Sequence, residues 1–129
     1  MAVILPFVYV GLGSMLGGVS RYGMSLVTQN IAALSMPLGT LLSNVAGCLL
    51  IGLIAGISAT STLLSTEMRL LLATGFCGGF TTMSSFVYEL GQSVQDKEFL
   101  FASSYFVATL AGAGISFVLG LMLSDYLLR

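Results

Sequence analysis

An all-α membrane protein with four transmembrane helices is the fold class this sequence predicts. Three observations predict it. Of 129 residues, 57% are hydrophobic and only 7% charged, against about 25% charged in a soluble domain. The mean hydropathy is +1.04. The apolar residues fall into four segments, each near the ~20 residues that cross a bilayer as a helix. Their connections, 28–36, 58–67 and 92–98, are short, which places successive helices antiparallel and adjacent. No linker or low-complexity tract divides them, so residues 1–129 read as a single four-helix transmembrane domain in the lipid bilayer. Net charge is −1, which offers nothing to nucleic acid. There is no His and no carboxylate cluster, which excludes a transition-metal or His-based catalytic site and leaves no acid–base pair for an enzyme.

The first span covers residues 3–27. No positively charged stretch precedes it and no small-residue cleavage site ends it, so it reads as a retained helix rather than a signal peptide. Gly13 and Gly17, and Ser14 and Gly18, form four-residue rows that let another helix approach closely. Arg21 lies inside this span, where a charge costs about 3 kcal/mol on insertion scales. It either snorkels to the interface or lines an aqueous vestibule and attracts anions.

The second span, 38–57, starts behind Pro37, a residue suited to a first helical turn. Its small-residue row is Cys48, Gly52, Gly56. Asn44 lies early in it, within Gly39-Thr-Leu-Leu-Ser-Asn-Val-Ala-Gly47. A buried amide must be hydrogen-bonded, and this one has an anion or a neighbouring helix to donate to. Cys48 and Cys77 both sit in apolar segments and read as free thiols, with no cation nearby in sequence to activate them.

The third span, 68–91, contains Gly75-Phe-Cys-Gly-Gly-Phe-Thr-Thr-Met-Ser-Ser85, with three glycines and four hydroxyls. Each interior Gly costs a helix about 1 kcal/mol relative to Ala, so a break is expected at the adjacent Gly78 and Gly79. Non-helical backbone at membrane depth survives only where protein or a water-filled cavity satisfies it. The stretch is therefore a candidate ion or substrate site, or else a close-packed helix crossing. Glu89 follows Ser85 by four residues and Thr82 by seven, which puts the three on one face. Met83, Phe86 and Leu90 make a neighbouring stripe. Glu89 reads as an interfacial residue, a proton carrier or part of a hydroxyl-lined path. A ring such as Phe86 has a positive edge that can face an anion.

The fourth span, 99–123, carries the row Ala108, Gly112, Ser116, Gly120. Such rows on nearly every helix favour an oligomer, most simply a dimer. Arg69 and Arg129 fall on one side of the membrane, Lys97 on the other, with Arg21 toward the side of Lys97. So even a count barely encodes an orientation. Either something else fixes it, or copies insert both ways and pair antiparallel.

These motifs together resemble the Fluc-type fluoride channels, the small bacterial fluoride exporters. The resemblance rests on the four spans, Gly17-Xaa-Xaa-Xaa-Arg21, Gly39-Thr40 leading to Asn44-Xaa-Xaa-Gly47, and above all Gly75 to Phe86 with Glu89. It implies a multi-pass protein of the bacterial inner (plasma) membrane that exports fluoride passively. It implies an antiparallel, dual-topology homodimer with two pores and a central structural Na⁺, bound by the backbone carbonyls of Gly78 and Thr81. Asn44 would line the pore, with Ser84, Ser85 and Glu89 as a polar track beside paired phenylalanines. Those paired positions are Met83 and Phe86 here, so the first departs from the pattern. Tyr105 matches a tyrosine that steadies a pore ring, Thr109 sits one turn on, and Arg21 matches an arginine at an aqueous vestibule. Small proton-coupled exporters of cationic drugs share the size, but they place an essential Glu in the first helix. This first helix has Arg21 and no carboxylate, and the chain has no Trp. A non-transporting accessory subunit would not explain Asn44, the glycine-rich stretch and Glu89 together.

Overall fold

The structure, a computed structural model, describes residues 3–31 and 36–129. It is all-helical, and four helical stretches are long and apolar enough to cross a membrane. Helix α1 spans Ile4–Gln29 and α2 spans Leu38–Thr60. Helix α3 begins as Thr66–Arg69, widens into π-helical winding over Leu70–Cys77, and closes with an α turn at Gly78–Phe80. After two extended residues, α4 runs over Met83–Gln95 and completes the third span. Helix α5 is Phe99–Leu127. Residues 32–35, in the first connection, lie outside the described residues.

The helices outrun the apolar segments by a few residues, because backbone hydrogen bonding continues after hydropathy falls. At the start of α3, for example, Ser65 Oγ accepts from Met68 N–H and caps the helix among polar residues.

Packing follows the small-residue rows. The most extensive contacts join α2 to α5 and α1 to α3. Both are parallel pairs of helices that are not consecutive spans, whereas short connections alone point to consecutive neighbours. Gly13 meets Leu71 and Gly75, and Gly17 meets Phe76 and Phe80. In the other pair, Gly52 meets Phe117 and Gly56 meets Ser124. A methyl at Gly13 would collide with the Leu71 carbonyl oxygen, and one at Gly52 with that of Phe117. Gly13, Gly17, Gly52 and Gly120 are thus spent inside the chain, holding its own helices backbone to backbone, whereas Ala108 is exposed and an added Cβ at Gly18 would meet nothing.

The break in the third span lies two residues beyond the expected glycines. Gly78 is helical, with φ −62° and ψ −38°, and Gly79 continues the turn against Ser14 and Gly18 of α1. Extended backbone comes at Thr81 (φ −84°, ψ 157°) and Thr82 (φ −151°, ψ 119°). Two β-branched residues favour that geometry. The glycines serve instead to let α3 lie against α1.

Candidate functional site

The two extended threonines interrupt the helical ladder, and side chains replace what is lost. Thr81 Oγ1 donates to the Cys77 carbonyl at 2.9 Å and seals the end of α3. Thr82 Oγ1 accepts from Ser85 N–H at 3.2 Å and caps the start of α4. Asn44, projecting from α2, fastens the break from outside. Its Oδ1 accepts from Thr82 N–H at 2.7 Å and its Nδ2 donates to the Thr82 carbonyl at 3.1 Å. One amide thus satisfies both backbone groups of one residue, as a neighbouring strand would. The helix-bonding use of its amide is thus present, and one of the two Nδ2 hydrogens remains to donate elsewhere.

This repair leaves identifiable carbonyls without helical donors. In a continuous helix the Gly78 carbonyl would accept from Thr82 N–H and the Thr81 carbonyl from Ser85 N–H. Both donors are diverted, one to Asn44 and the other to Thr82 Oγ1. The Gly79 carbonyl is served by Arg21 Nε at 3.2 Å. Arg21 therefore turns inward to the C-terminal end of α3, where a cation is favoured by the helix dipole. It lines neither of the two cavities described next.

A cavity of about 430 Å³ opens beside the break. Asn44, Gly78, Thr81, Met83, Phe86 and Thr109 all face it. Phe86 is buried, its ring meeting Tyr105 edge-on at 5.2 Å and stacking on Phe106 at 6.1 Å. Met83 is 66% exposed. The Thr109 hydroxyl is buried without a hydrogen-bond partner and remains a donor to spare.

Glu89 belongs to a second cavity of about 250 Å³, shared with Ser25, Thr28 and Thr40 near the start of α2. Its two carboxylate oxygens are each given one donor: Oε1 by Thr40 Oγ1 and Oε2 by the Tyr105 hydroxyl, both at 2.7 Å. Such short bonds to a carboxylate are the strong kind. Tyr105, fully buried, is the link between the cavities, touching Glu89 with its hydroxyl and Phe86 with its ring. Ser84 and Ser85 gather around Thr82 Oγ1, each with its hydroxyl at 3.2 Å. Ser84 is exposed and lines neither cavity.

The expected residues therefore form one connected arrangement rather than one lining. Asn44, Met83, Phe86 and Thr109 face the larger cavity, Glu89 the smaller, and Tyr105 joins them. Thr40 had no assigned role in the sequence reading. The signal for it was its position four residues before Asn44, on the same face of α2.

Comparisons with known proteins bear on this site. Residues 8–121 match the family described as CrcB-like protein, Camphor Resistance (CrcB). A protein of Prosthecochloris aestuarii named fluoride-specific ion channel FluC is 44% identical over 115 residues, 89% of each chain. One of the same name from Chlorobaculum tepidum is 46% identical over 103 residues, 80% of this chain and 81% of that one. Another from Sorangium cellulosum is 38% identical over 120 residues, 93% and 94% of the two chains.

Proposed function

This chain belongs to the CrcB family, and on that premise we propose that it is a fluoride-selective channel of the bacterial inner membrane, conducting passively and excluding chloride. It is a multi-pass membrane protein and not an enzyme. The observation that carries the reading is the connected set of donors and ring edges around the Asn44-fastened break. Fluoride is the smallest halide and the one that leaves water at the greatest cost. A path for it needs dense donors at close quarters in a narrow passage, which then excludes larger halides. Thr109 has a free hydroxyl at the larger cavity, Ser84 and Ser85 cluster at the start of α4, and Phe86 supplies a ring. Glu89 holds the Tyr105 and Thr40 hydroxyls in place between passages of the ion.

The residues also fit a structural Na⁺. The Gly78 and Thr81 carbonyls are two whose helical donors are diverted to side chains, and unwound carbonyls are the usual Na⁺ ligands in membrane proteins. Bound there, Na⁺ would supply a fixed positive charge that attracts anions to the break. One chain offers two such carbonyls, too few for Na⁺. That motivates an antiparallel, dual-topology homodimer, in which two copies contribute four and each bears a pore. The near-even placement of Lys and Arg supports the same arrangement. Nothing in the structure favours a proton-coupled drug exporter, since the only charge in α1 is Arg21, already bonded to Gly79.

Halide efflux from liposomes holding the purified protein tests the reading. Fluoride is expected to leave and chloride to stay; equal loss of both, or loss of drug cations instead, sinks it. A single cysteine placed at Ser61 is expected to react with membrane-impermeant reagent from both sides of the cell membrane. Reaction from one side alone removes dual topology.

A further inference from the structure

Two consecutive residues of α5 hold the ring of Phe86. The Tyr105 ring makes an edge contact with it, with centroids 5.2 Å apart and planes at 64°. The Phe106 ring stacks on it at 6.1 Å and 24°. Consecutive side chains on an α-helix diverge by about 100°, so the two approach Phe86 from different directions. Tyr105 is itself fixed. It is fully buried, stacked on Phe101 at 6.3 Å, and bonded through its hydroxyl to Glu89. Phe106 is 47% exposed, and among the described residues Phe86 is its only ring partner. It lines neither the cavity of 430 Å³ nor that of 250 Å³. Its ring therefore bears on the larger cavity through Phe86, which is buried and lines it.

We propose that Phe106 is a positioning residue that sets the tilt of the Phe86 ring toward the ion. A ring is positive at its edge and negative on its faces. An anion gains from the edge alone, so the tilt of the ring decides whether it attracts or repels. The edge contact with Tyr105 fixes where the ring stands. The stack with Phe106 fixes its plane and covers one negative face. With the Phe106 ring removed, Phe86 is free to rock into the vacated space and turn a face toward the cavity. The effect on flux rests on the channel reading, whereas the ring pair is a property of the fold alone. Because Phe106 is half-exposed, an apolar replacement there costs little packing of its own, and what it changes is the grip on Phe86.

Two double-mutant cycles on the purified full-length protein test this, one in fluoride efflux and one in unfolding, with Phe86→Ile and Phe106→Leu as the single variants. Phe106→Leu is expected to slow efflux about three- to tenfold, the worth of one aromatic pair. Phe106→Tyr keeps the ring and is expected to stay within about twofold of the parent. In the Phe86→Ile background no ring remains to position, so Phe106→Leu is expected to change efflux by less than about twofold. In unfolding, the losses of the two single variants are expected to sum to more than the loss of the double variant. Parental efflux in Phe106→Leu, equal slowing in both backgrounds, or additive unfolding losses overturns the proposal. If Phe106→Leu fails to fold, Phe106→Met, with an unbranched and flexible side chain, takes its place in both cycles. An unaltered protein that passes no fluoride refutes the channel reading instead, and the unfolding cycle then decides the ring pair by itself.

Discussion

The two halves of the third span are held by opposite means. Helix α3 lies against α1 through backbone contacts at Gly13, Gly17, Gly75 and Gly79. It has only one side-chain hydrogen bond from another helix, Arg21 to Gly79. Helix α4 touches its neighbours much less. It is positioned by polar groups: Asn44 on Thr82, the Thr82 cap, and Thr40 and Tyr105 on Glu89. Close packing tolerates no added volume, because the atoms that must yield are main chain. Hydrogen bonds tolerate shape changes but are costly to leave half made. The packed half is thus the fixed support, and the polar half is where binding groups can be arranged.

The contrast breaks most severely at Gly13. Gly13→Val, driven into the Leu71 carbonyl, is expected to cost at least 3 kcal/mol, about the top of the usual overpacking range. Gly11→Val, with open space around it, is expected to change stability by under about 1 kcal/mol. Unfolding of the detergent-solubilised protein compares them, and equal losses would mean that α1 and α3 do not touch this way. Asn44→Ala comes next. It leaves the N–H and carbonyl of Thr82 without their Asn44 partner, a loss of about 2–4 kcal/mol. Parental stability in Asn44→Ala would show that the break is held by something else.

A third test asks which residue of the polar half meets the ion. Phe86→Ile removes the ring at nearly constant apolar character and is expected to slow fluoride efflux at least tenfold, about 1.4 kcal/mol of barrier. Met83→Phe is expected to stay within a few-fold, since Met83 is largely exposed and supplies no ring edge. Normal conduction in the first with collapse in the second would reverse the assignment. The smallest effect lies just past the end of α4. Lys97 has φ 62° in a turn where Glu98 N–H reaches the Ser93 carbonyl. Lys97→Gly should stabilise by about 1 kcal/mol, because Gly adopts that conformation without a Cβ penalty. A loss in the same unfolding measurement would show that the Lys97 side chain contributes more than its backbone strain costs.

The spans were legible because hydropathy is a local property of the chain. The break was legible as a region, but not as a residue. Glycine weakens an isolated helix, yet Gly75 and Gly79 face α1, where a missing side chain permits contact. What ends α3 is the Thr81–Thr82 pair, and what makes that end tolerable is Asn44, 38 residues away in sequence. The pairing of Thr40 with Glu89 across 49 residues was invisible for the same reason. Arg21 was legible as an anomaly, but only the fold shows that it meets the Gly79 carbonyl.

The position of the break along its span has an electrical consequence. Four, eight and three residues precede it in α3, and thirteen follow it in α4. The winding of Leu70–Cys77 packs more residues into each turn than an α-helix does, so the longer side is foreshortened. The break therefore stands about midway along the third span, and about halfway through a membrane that this span crosses end to end. A monovalent ion resting there has crossed about half of the transmembrane field, roughly 1.2 kcal/mol for each 100 mV. It meets nearly the same voltage drop from either face, so voltage acting on that step gives the current no preferred direction.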